Sequence, residues 1–309
     1  MRRPANNIRF YTYDDHPSRE VGYATFKGSP CEREGLFLTK RLLPPQLLRQ
    51  VQSEILHVID VAEGCAPGRR LRVPSTDFQE QTQQRLSTLF TRRPSLRGPL
   101  VQVLRKLPIV QGLSAHPAIL GVLRRIGLRR PVERINALQV FLPWEEVFRE
   151  RPHQDFGDML SEHAWTLQIP LHDIRKEDTG AAEIYPGTYR LGPLAHHLIR
   201  DPRNQLLYET TEPRLWRELT PKSFEMQLGD VSFFRCLNIH QTFPRQRRIR
   251  WSLVIRYDDY GTAPVLRTGT TPFAALREYD VALWNDQLQA FFKRYRVPAA
   301  FAQRAGSAS

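Results

Sequence analysis

A chain of 309 residues, 41% apolar and 10% aromatic, carries enough nonpolar side chain to bury a large core. No apolar run approaches the roughly 18 residues a membrane span needs, and the first residues lack the apolar stretch of a secretory leader. Three widely spaced cysteines (Cys31, Cys65, Cys236) exclude a disulfide framework or a CxxC zinc site, so a reducing cytoplasm is expected; the surplus of 45 basic over 32 acidic residues, +13, favours anionic partners.

Residues 1–35 are polar and broken by Pro4, Pro17, Gly22, Gly28 and Pro30, which predicts a loosely structured arm with one edge strand. Pro44-Pro45 opens a helix in which Leu47, Leu48, Val51, Ile55, Val58 and Ile59 recur at helical spacing, and Gly64 closes it. His116-Pro117 starts a second helix with Ile119, Leu120, Leu123 and Ile126 on one side. From about residue 133 the period becomes two: Leu138, Val140 and Leu142 alternate with Gln139 and Phe141, and Trp165, Leu167, Ile169 and Leu171 with Thr166 and Gln168. Further strands are expected over Val231–Ile239, after the Gly229-Asp230 turn, and over Ile249–Tyr257. Phe273–Tyr295 reads as helix, and the small polar residues after Gln303 as a disordered tail.

Helices first and strands afterwards predict an α+β fold, a double-sheet barrel packed against helices. The expected divisions are an N-terminal arm and helical support over 1–132, a β core over 133–262 and a helical extension with tail over 263–309, all one integrated domain.

Within the β half, His153-Gln154-Asp155 places an imidazole and a carboxylate two residues apart, so on an extended backbone both point the same way. His240 can supply a second imidazole from a neighbouring strand. Two histidines and one carboxylate fill one face of an octahedral ferrous ion and leave three positions open. Chance alone supplies about one His-x-acid spacing in a chain of this composition, and two satisfied core histidines would look the same. Ten residues after His240, Arg250 and Ser252 share one face of a strand with Val254, while Trp251, Leu253 and Ile255 take the other. A guanidinium fork and a hydroxyl suit the distal carboxylate of a keto-diacid. His163, His172, His196 and His197 have no acid two residues on and are expected as loop or surface residues; Cys236 is expected as a small core residue.

In this order the residues resemble the phytanoyl-CoA dioxygenase (PhyH) family. The resemblance rests on His153-Gln-Asp155, Thr166-Leu-Gln-Ile-Pro-Leu-His-Asp173 and Thr179-Gly-Ala-Ala-Glu-Ile-Tyr-Pro-Gly-Thr-Tyr-Arg-Leu-Gly192. Leu228-Gly-Asp-Val-Ser-Phe-Phe234, His240-x-Thr242 and Arg250-x-Ser252-x-x-x-Arg256-Tyr257 complete it, over roughly residues 135–260. It implies a double-stranded β-helix (a cupin-like jelly-roll) with flanking helices, and Fe(II) held by His153, Asp155 and His240. It also implies 2-oxoglutarate on Arg250, with Ser252, Gln139, Gln168 and Thr242 as lesser contacts. Such enzymes use O2 to convert 2-oxoglutarate to succinate and CO2 while oxidising an unactivated carbon. Related halogenases carry a small residue where Asp155 stands, so hydroxylation is the implied outcome. Two positions depart from the family: Gln168 replaces a frequent tryptophan, and Tyr189 the usual histidine after Pro-Gly-Thr.

A small-molecule substrate is expected, anionic or carried on CoA or a carrier protein. The six-residue interval between Arg250 and Arg256 also resembles the arginine pair of oxidative nucleic-acid demethylases, although no nucleic-acid-binding module is evident. A non-enzymatic cupin-like barrel is the third reading.

Overall fold

The computed structural model describes residues 8–12, 21–65, 78–145, 151–155, 159, 161–194, 196–200, 206–210, 213–242, 247–261 and 277–278. The chain begins with β1 (Phe10–Thr12), β2 (Val21–Tyr23), the short α1 (Pro30–Glu34) and β3 (Leu36–Thr39). A helical stretch follows: α2 (Pro45–Ala62), α3 (Phe78–Arg92), α4 (Arg97–Arg105), α5 (Pro108–Gly112) and α6 (Pro117–Arg125). The remainder is mostly strand: β4 (Pro131–Phe141), β5 (Trp165–Pro170), α7 (Lys176–Thr179), β6 (Ala182–Ile184), β7 (His196–Arg200) and β8 (Leu206–Thr210), then β9 (Val231–Arg235), β10 (His240–Thr242), β11 (Arg250–Asp259) and β12 (Arg277–Glu278). Helices and antiparallel sheet thus divide as the α+β reading expects.

Seven strands form one sheet in the order β2-β1-β3-β9-β5-β11-β4. Two smaller sheets pair β10 with β6, and β7 with β8 and β12. Directly opposed residues of antiparallel strands share a face. On β11, Trp251 and Leu253 oppose Val140 and Leu138 of β4, while Leu253 and Ile255 oppose Ile169 and Leu167 of β5. All are buried, and they join Leu48, Val51 and Ile55 of α2 and Ile119, Val122 and Leu123 of α6 in one core. Burying each of these large apolar side chains contributes about 1.5–3 kcal/mol. A one-residue slip of β11 would exchange that set for Arg250, Ser252 and Val254, so burial fixes the register.

The opposite face of the large sheet is polar at its centre. Ser252 opposes Gln139 and Pro170, Val254 opposes Ala137 and Gln168, and Arg256 opposes Ile135 and Thr166. Further along that face, Leu36, Leu38 and Phe234 pack with Ile184, Phe224 and Met226, joining the large sheet to β6 and its neighbours.

Several elements differ from expectation. β3 is short and wholly apolar apart from Thr39, and it lies between β1 and β9 inside the sheet. The stripe of α3 is interrupted by buried Thr82 and Ser87, which hides its helical period. The Gly98-Pro99 pair of α4 resembles a turn, yet proline is tolerated in a first helical turn. The expected helix over Phe273–Tyr295 lies outside the described residues except at Arg277–Glu278, which is strand paired with His196 and His197; the tail after Gln303 also lies outside them.

Buried polar groups tie the layers together. Arg97 of α4 forks onto Glu145, just past β4, with N–O distances of 2.7 and 2.8 Å. Trp251 Nε1 donates to Thr82 Oγ1 of α3 at 2.9 Å, and Gln52 of α2 donates to the Leu171 carbonyl at 2.5 Å.

Candidate metal centre

His153 was expected on a strand. It occupies instead a single isolated bridge, exchanging both backbone hydrogen bonds with His240 (3.0 and 2.9 Å). Two residues on, the Asp155 N–H donates to the Cys236 carbonyl at 2.8 Å. The intervening Gln154 turns the other way: its amide nitrogen donates to the Gly192 and Leu237 carbonyls, and its oxygen accepts from the Leu194 N–H. Those three bonds hold the segment in place while its neighbours point at one spot.

His240 starts β10, paired with Ile184 of β6. The Pro186-Gly187-Thr188 turn braces it from behind. Gly187 has φ +75° and donates its N–H to the Glu34 carbonyl, and Thr188 Oγ1 accepts from the Ile239 N–H at 2.8 Å. Tyr189, at the departing position, donates its hydroxyl to the Glu32 carbonyl and packs against Gly35 and Arg235. It is a tie to α1.

The three residues His153, Asp155 and His240 are 5–6% exposed, and their ligand atoms lie within 4.8 Å of one another. Among the described residues no other trio of His, Cys, Asp or Glu comes together in this way. His153 Nδ1 lies 2.6 Å from the Arg151 carbonyl and His240 Nδ1 lies 3.0 Å from the Asn238 carbonyl. A carbonyl only accepts, so each Nδ1 carries the proton and each Nε2 presents a lone pair. Those Nε2 atoms are 3.6 and 3.5 Å from the two oxygens of Asp155.

Burial alone would raise the Asp155 carboxyl. The Arg256 guanidinium overrides burial and holds it well below the usual carboxylate range. Arg256 Nη2 donates to Asp155 Oδ1, and Thr166 Oγ1 donates to Oδ2 at 3.0 Å. Neither contact is visible from sequence spacing, because the donors come from β11 and β5. The only signal was the Arg250-to-Arg256 interval, which by itself resembled a different arginine pair.

Arg250, at the start of β11, is 1% exposed, with its guanidinium carbon 4.3 Å from the Phe141 ring centroid. It stands apart from the exposed Arg247 and Arg248; Arg245 lies outside the described residues. Ser252 is fully buried, and its hydroxyl makes no hydrogen bond to any described residue. Leaving a buried hydroxyl unmet costs about 1–3 kcal/mol unless a ligand completes it. Gln168 is buried and Gln139 half-buried on this same face. The backbone of Thr242 pairs with Ala182, while its side chain lies outside the description.

The remaining histidines divide. His163 is exposed as expected, and the side chains of His196 and His197 lie outside the description. His172, expected as a loop or surface residue, lies in the loop after β5 but is buried: its Nε2 accepts the Trp251 N–H at 2.9 Å and its Nδ1 sits 2.8 Å from the Asp173 carbonyl. The Trp251 N–H that it satisfies needs an acceptor, and the sequence offers no local sign of that demand. Cys236 is buried, 3.2 Å from Thr166 Oγ1.

Two imidazoles with fixed tautomers and an ionised carboxylate are a donor set suited to a first-row divalent metal. The centre lies on the polar face that Arg250 and Ser252 share. The family model for phytanoyl-CoA dioxygenase matches residues 31–250, more than two thirds of the chain, spanning His153, Asp155, His240 and Arg250. No curated protein matches the chain. Among solved structures, the chain is similar to the non-heme α-ketoglutarate-dependent epimerase SnoN from nogalamycin biosynthesis (14% identity, 74% of this chain and 80% of that chain, TM-score 0.46). It is also similar to the non-heme monooxygenase ThoJ (17%, 75% and 77%, TM-score 0.49). A third likeness is to HygX from Streptomyces hygroscopicus with nickel and 2-oxoglutarate bound (12%, 74% and 85%, TM-score 0.45). The chain belongs to the phytanoyl-CoA dioxygenase family and is an iron- and 2-oxoglutarate-dependent oxygenase.

Proposed function

We propose that this enzyme hydroxylates an unactivated carbon of a small molecule that is anionic or carried on an anionic tether. His153, Asp155 and His240 hold Fe(II) in this reading, and Arg250 with Ser252 takes the distal carboxylate of 2-oxoglutarate. Gln139, Gln168 and Thr242 make lesser contacts. The large sheet and the β6/β10 pair are the two halves of a double-stranded β-helix, built as one integrated unit to which the N-terminal third contributes β3.

One observation carries the reading. Both imidazoles are pinned through Nδ1 to backbone carbonyls and turn their lone pairs toward one ionised carboxylate. Bound iron, with 2-oxoglutarate and O2, supplies the oxidising chemistry and yields succinate and CO2. The chain's own residues do the rest. Arg250 and Ser252 orient the cosubstrate from a rigid strand, and Phe141 beside the guanidinium keeps water away. Asp155 occupies the ligand position that a halide would need, which favours hydroxylation.

The tethered or anionic substrate is supported by where the charge lies. From Arg92 to Arg134 the sequence holds ten Arg or Lys and one acid, Glu133, so nine of the thirteen surplus positive charges fall in that segment. Lys106, Arg124, Arg125, Arg129, Arg130 and Arg134 are all exposed. The segment leads into β4, whose Ile135, Ala137 and Gln139 are half-exposed on the polar face beside buried Ser252 and Val254.

The test is Fe(II)-dependent succinate release from 2-oxoglutarate. His153→Ala is expected to abolish both metal binding and succinate formation. Arg250→Lys is expected to keep the metal but raise KM for 2-oxoglutarate at least about tenfold, because an ammonium cannot replace a bidentate fork. Undiminished succinate release by His153→Ala would refute the assignment. Tight, salt-sensitive binding to duplex DNA would turn the substrate reading toward nucleic acid.

A further inference from the structure

The metal assignment above leaves one contact unexplained: an arginine on a carboxylate that is already needed as a ligand. Arg256 and Thr166 are directly opposed on neighbouring strands, β11 and β5, and so project from the same face at the same level. Each reaches a different oxygen of Asp155, the guanidinium Oδ1 and the hydroxyl Oδ2. With the Asp155 N–H tied to the Cys236 carbonyl, the residue is held at three points by three separate segments, two of them on its carboxylate.

A carboxylate can bind a divalent ion through one oxygen or chelate it through two. Three protein ligands leave three positions on an octahedral ion, which 2-oxoglutarate (two) and O2 (one) require in full. Chelation would take one of those positions. A guanidinium on one oxygen supplies a strong charge-assisted bond that competes with the metal for that oxygen's electron pair. The hydroxyl on the other is a neutral and weaker donor.

Resting on the proposed assignment of Asp155 as a metal ligand, we propose that Arg256 is a positioning residue. Seconded by Thr166, it keeps the Asp155 carboxylate bound through a single oxygen and so preserves the coordination position that the cosubstrate and O2 need. The same contact accounts for the Arg250-to-Arg256 interval without a nucleic-acid substrate. The two arginines serve different carboxylates, one from the cosubstrate and one from the protein.

Three variants test this, Arg256→Met, Arg256→Lys and Thr166→Val, each loaded anaerobically with Co(II) or Fe(II). Readouts are the Co(II) visible spectrum, which reports the ligand set and its geometry, and the charge-transfer band formed when 2-oxoglutarate chelates Fe(II). For Arg256→Met we expect retained Co(II) binding, a spectrum altered as a second carboxylate oxygen replaces a water, and 2-oxoglutarate affinity lowered about 10- to 100-fold. Arg256→Lys should recover part of that loss, and Thr166→Val should show a smaller one. Wild-type spectra and unchanged 2-oxoglutarate affinity in Arg256→Met would overturn the proposal. If that variant does not fold, the same comparison falls to Arg256→Lys and Thr166→Val: a graded loss supports it, and no change in either overturns it. Failure of the wild-type protein itself to bind Co(II) would instead sink the metal assignment, a separate outcome.

Discussion

His172 illustrates how one side chain outside the metal centre sets the conditions under which the enzyme stays folded. Burial, reinforced by the nearby Arg250 charge, pulls its imidazole down from 6.5 to about 4, against a smaller opposing pull from the Asp173 carbonyl. The neutral ring accepts the Trp251 N–H, a bond a protonated ring could not make. Because the folded value lies below the unfolded one, the contribution of His172 to stability is complete above about pH 6.5. It is lost as pH falls toward 4, where the unfolded chain binds a proton that the fold refuses. The span corresponds to about 3 kcal/mol. Thermal melts of the wild type and of His172→Gln, taken from pH 7 to 4, should diverge in slope over that window. Parallel slopes would show that His172 does not carry the effect.

At the scale of elements, β11 organises both faces. Its odd-numbered residues from Trp251 to Ile255 enter the helical core, and its even-numbered ones from Arg250 to Arg256 face the centre. That alternation was legible in the sequence, as were β4 and β5, because a strand with one apolar and one polar face writes its two environments as a period of two, and β9 was legible from the Gly229-Asp230 turn before it. His153, Asp155 and His240 were legible as residue types at a spacing. Their convergence was implied by the family resemblance alone, since it depends on a single bridge between segments 87 positions apart, the separation of His153 and His240. The contact of Thr166 and Arg256 with Asp155 was not legible, since they are cross-strand neighbours whose meaning exists only once β5 and β11 are paired. α3 was obscured by buried Thr82, which spends its hydroxyl accepting the Trp251 indole N–H and donating to the Phe78 carbonyl. Thr82→Val removes that acceptor while keeping the shape. It should destabilise the protein by about 1–3 kcal/mol, read from urea midpoints at an unchanged denaturant slope. A midpoint shift below a few tenths of a kcal/mol would mean that the indole finds another acceptor.

For the whole molecule, the uneven charge is the feature that bears most on encounter with substrate. Outside residues 92–134 the acids and bases nearly balance, so the positive field is local. A local field steers an oppositely charged ligand and is screened beyond about 10 Å at 0.1 M salt. With an anionic substrate, kcat/KM should fall as ionic strength rises while kcat holds. Arg124→Glu combined with Arg125→Glu, two exposed positions at the end of α6, should flatten the dependence. If a neutral substrate shows the same salt response, the field is not acting through substrate charge.

The placement of β11 near the end of the described chain has a consequence for biosynthesis. Translation delivers His153 and Asp155 early and His240 late, and only afterwards the strand bearing Arg250 and Arg256. On the proposed assignment of Arg250 and Arg256, a ribosome-bound intermediate would lack the guanidinium groups on which engagement of the keto acid depends. Oxygen chemistry would then be withheld from the unfinished polypeptide until its last central strand has docked.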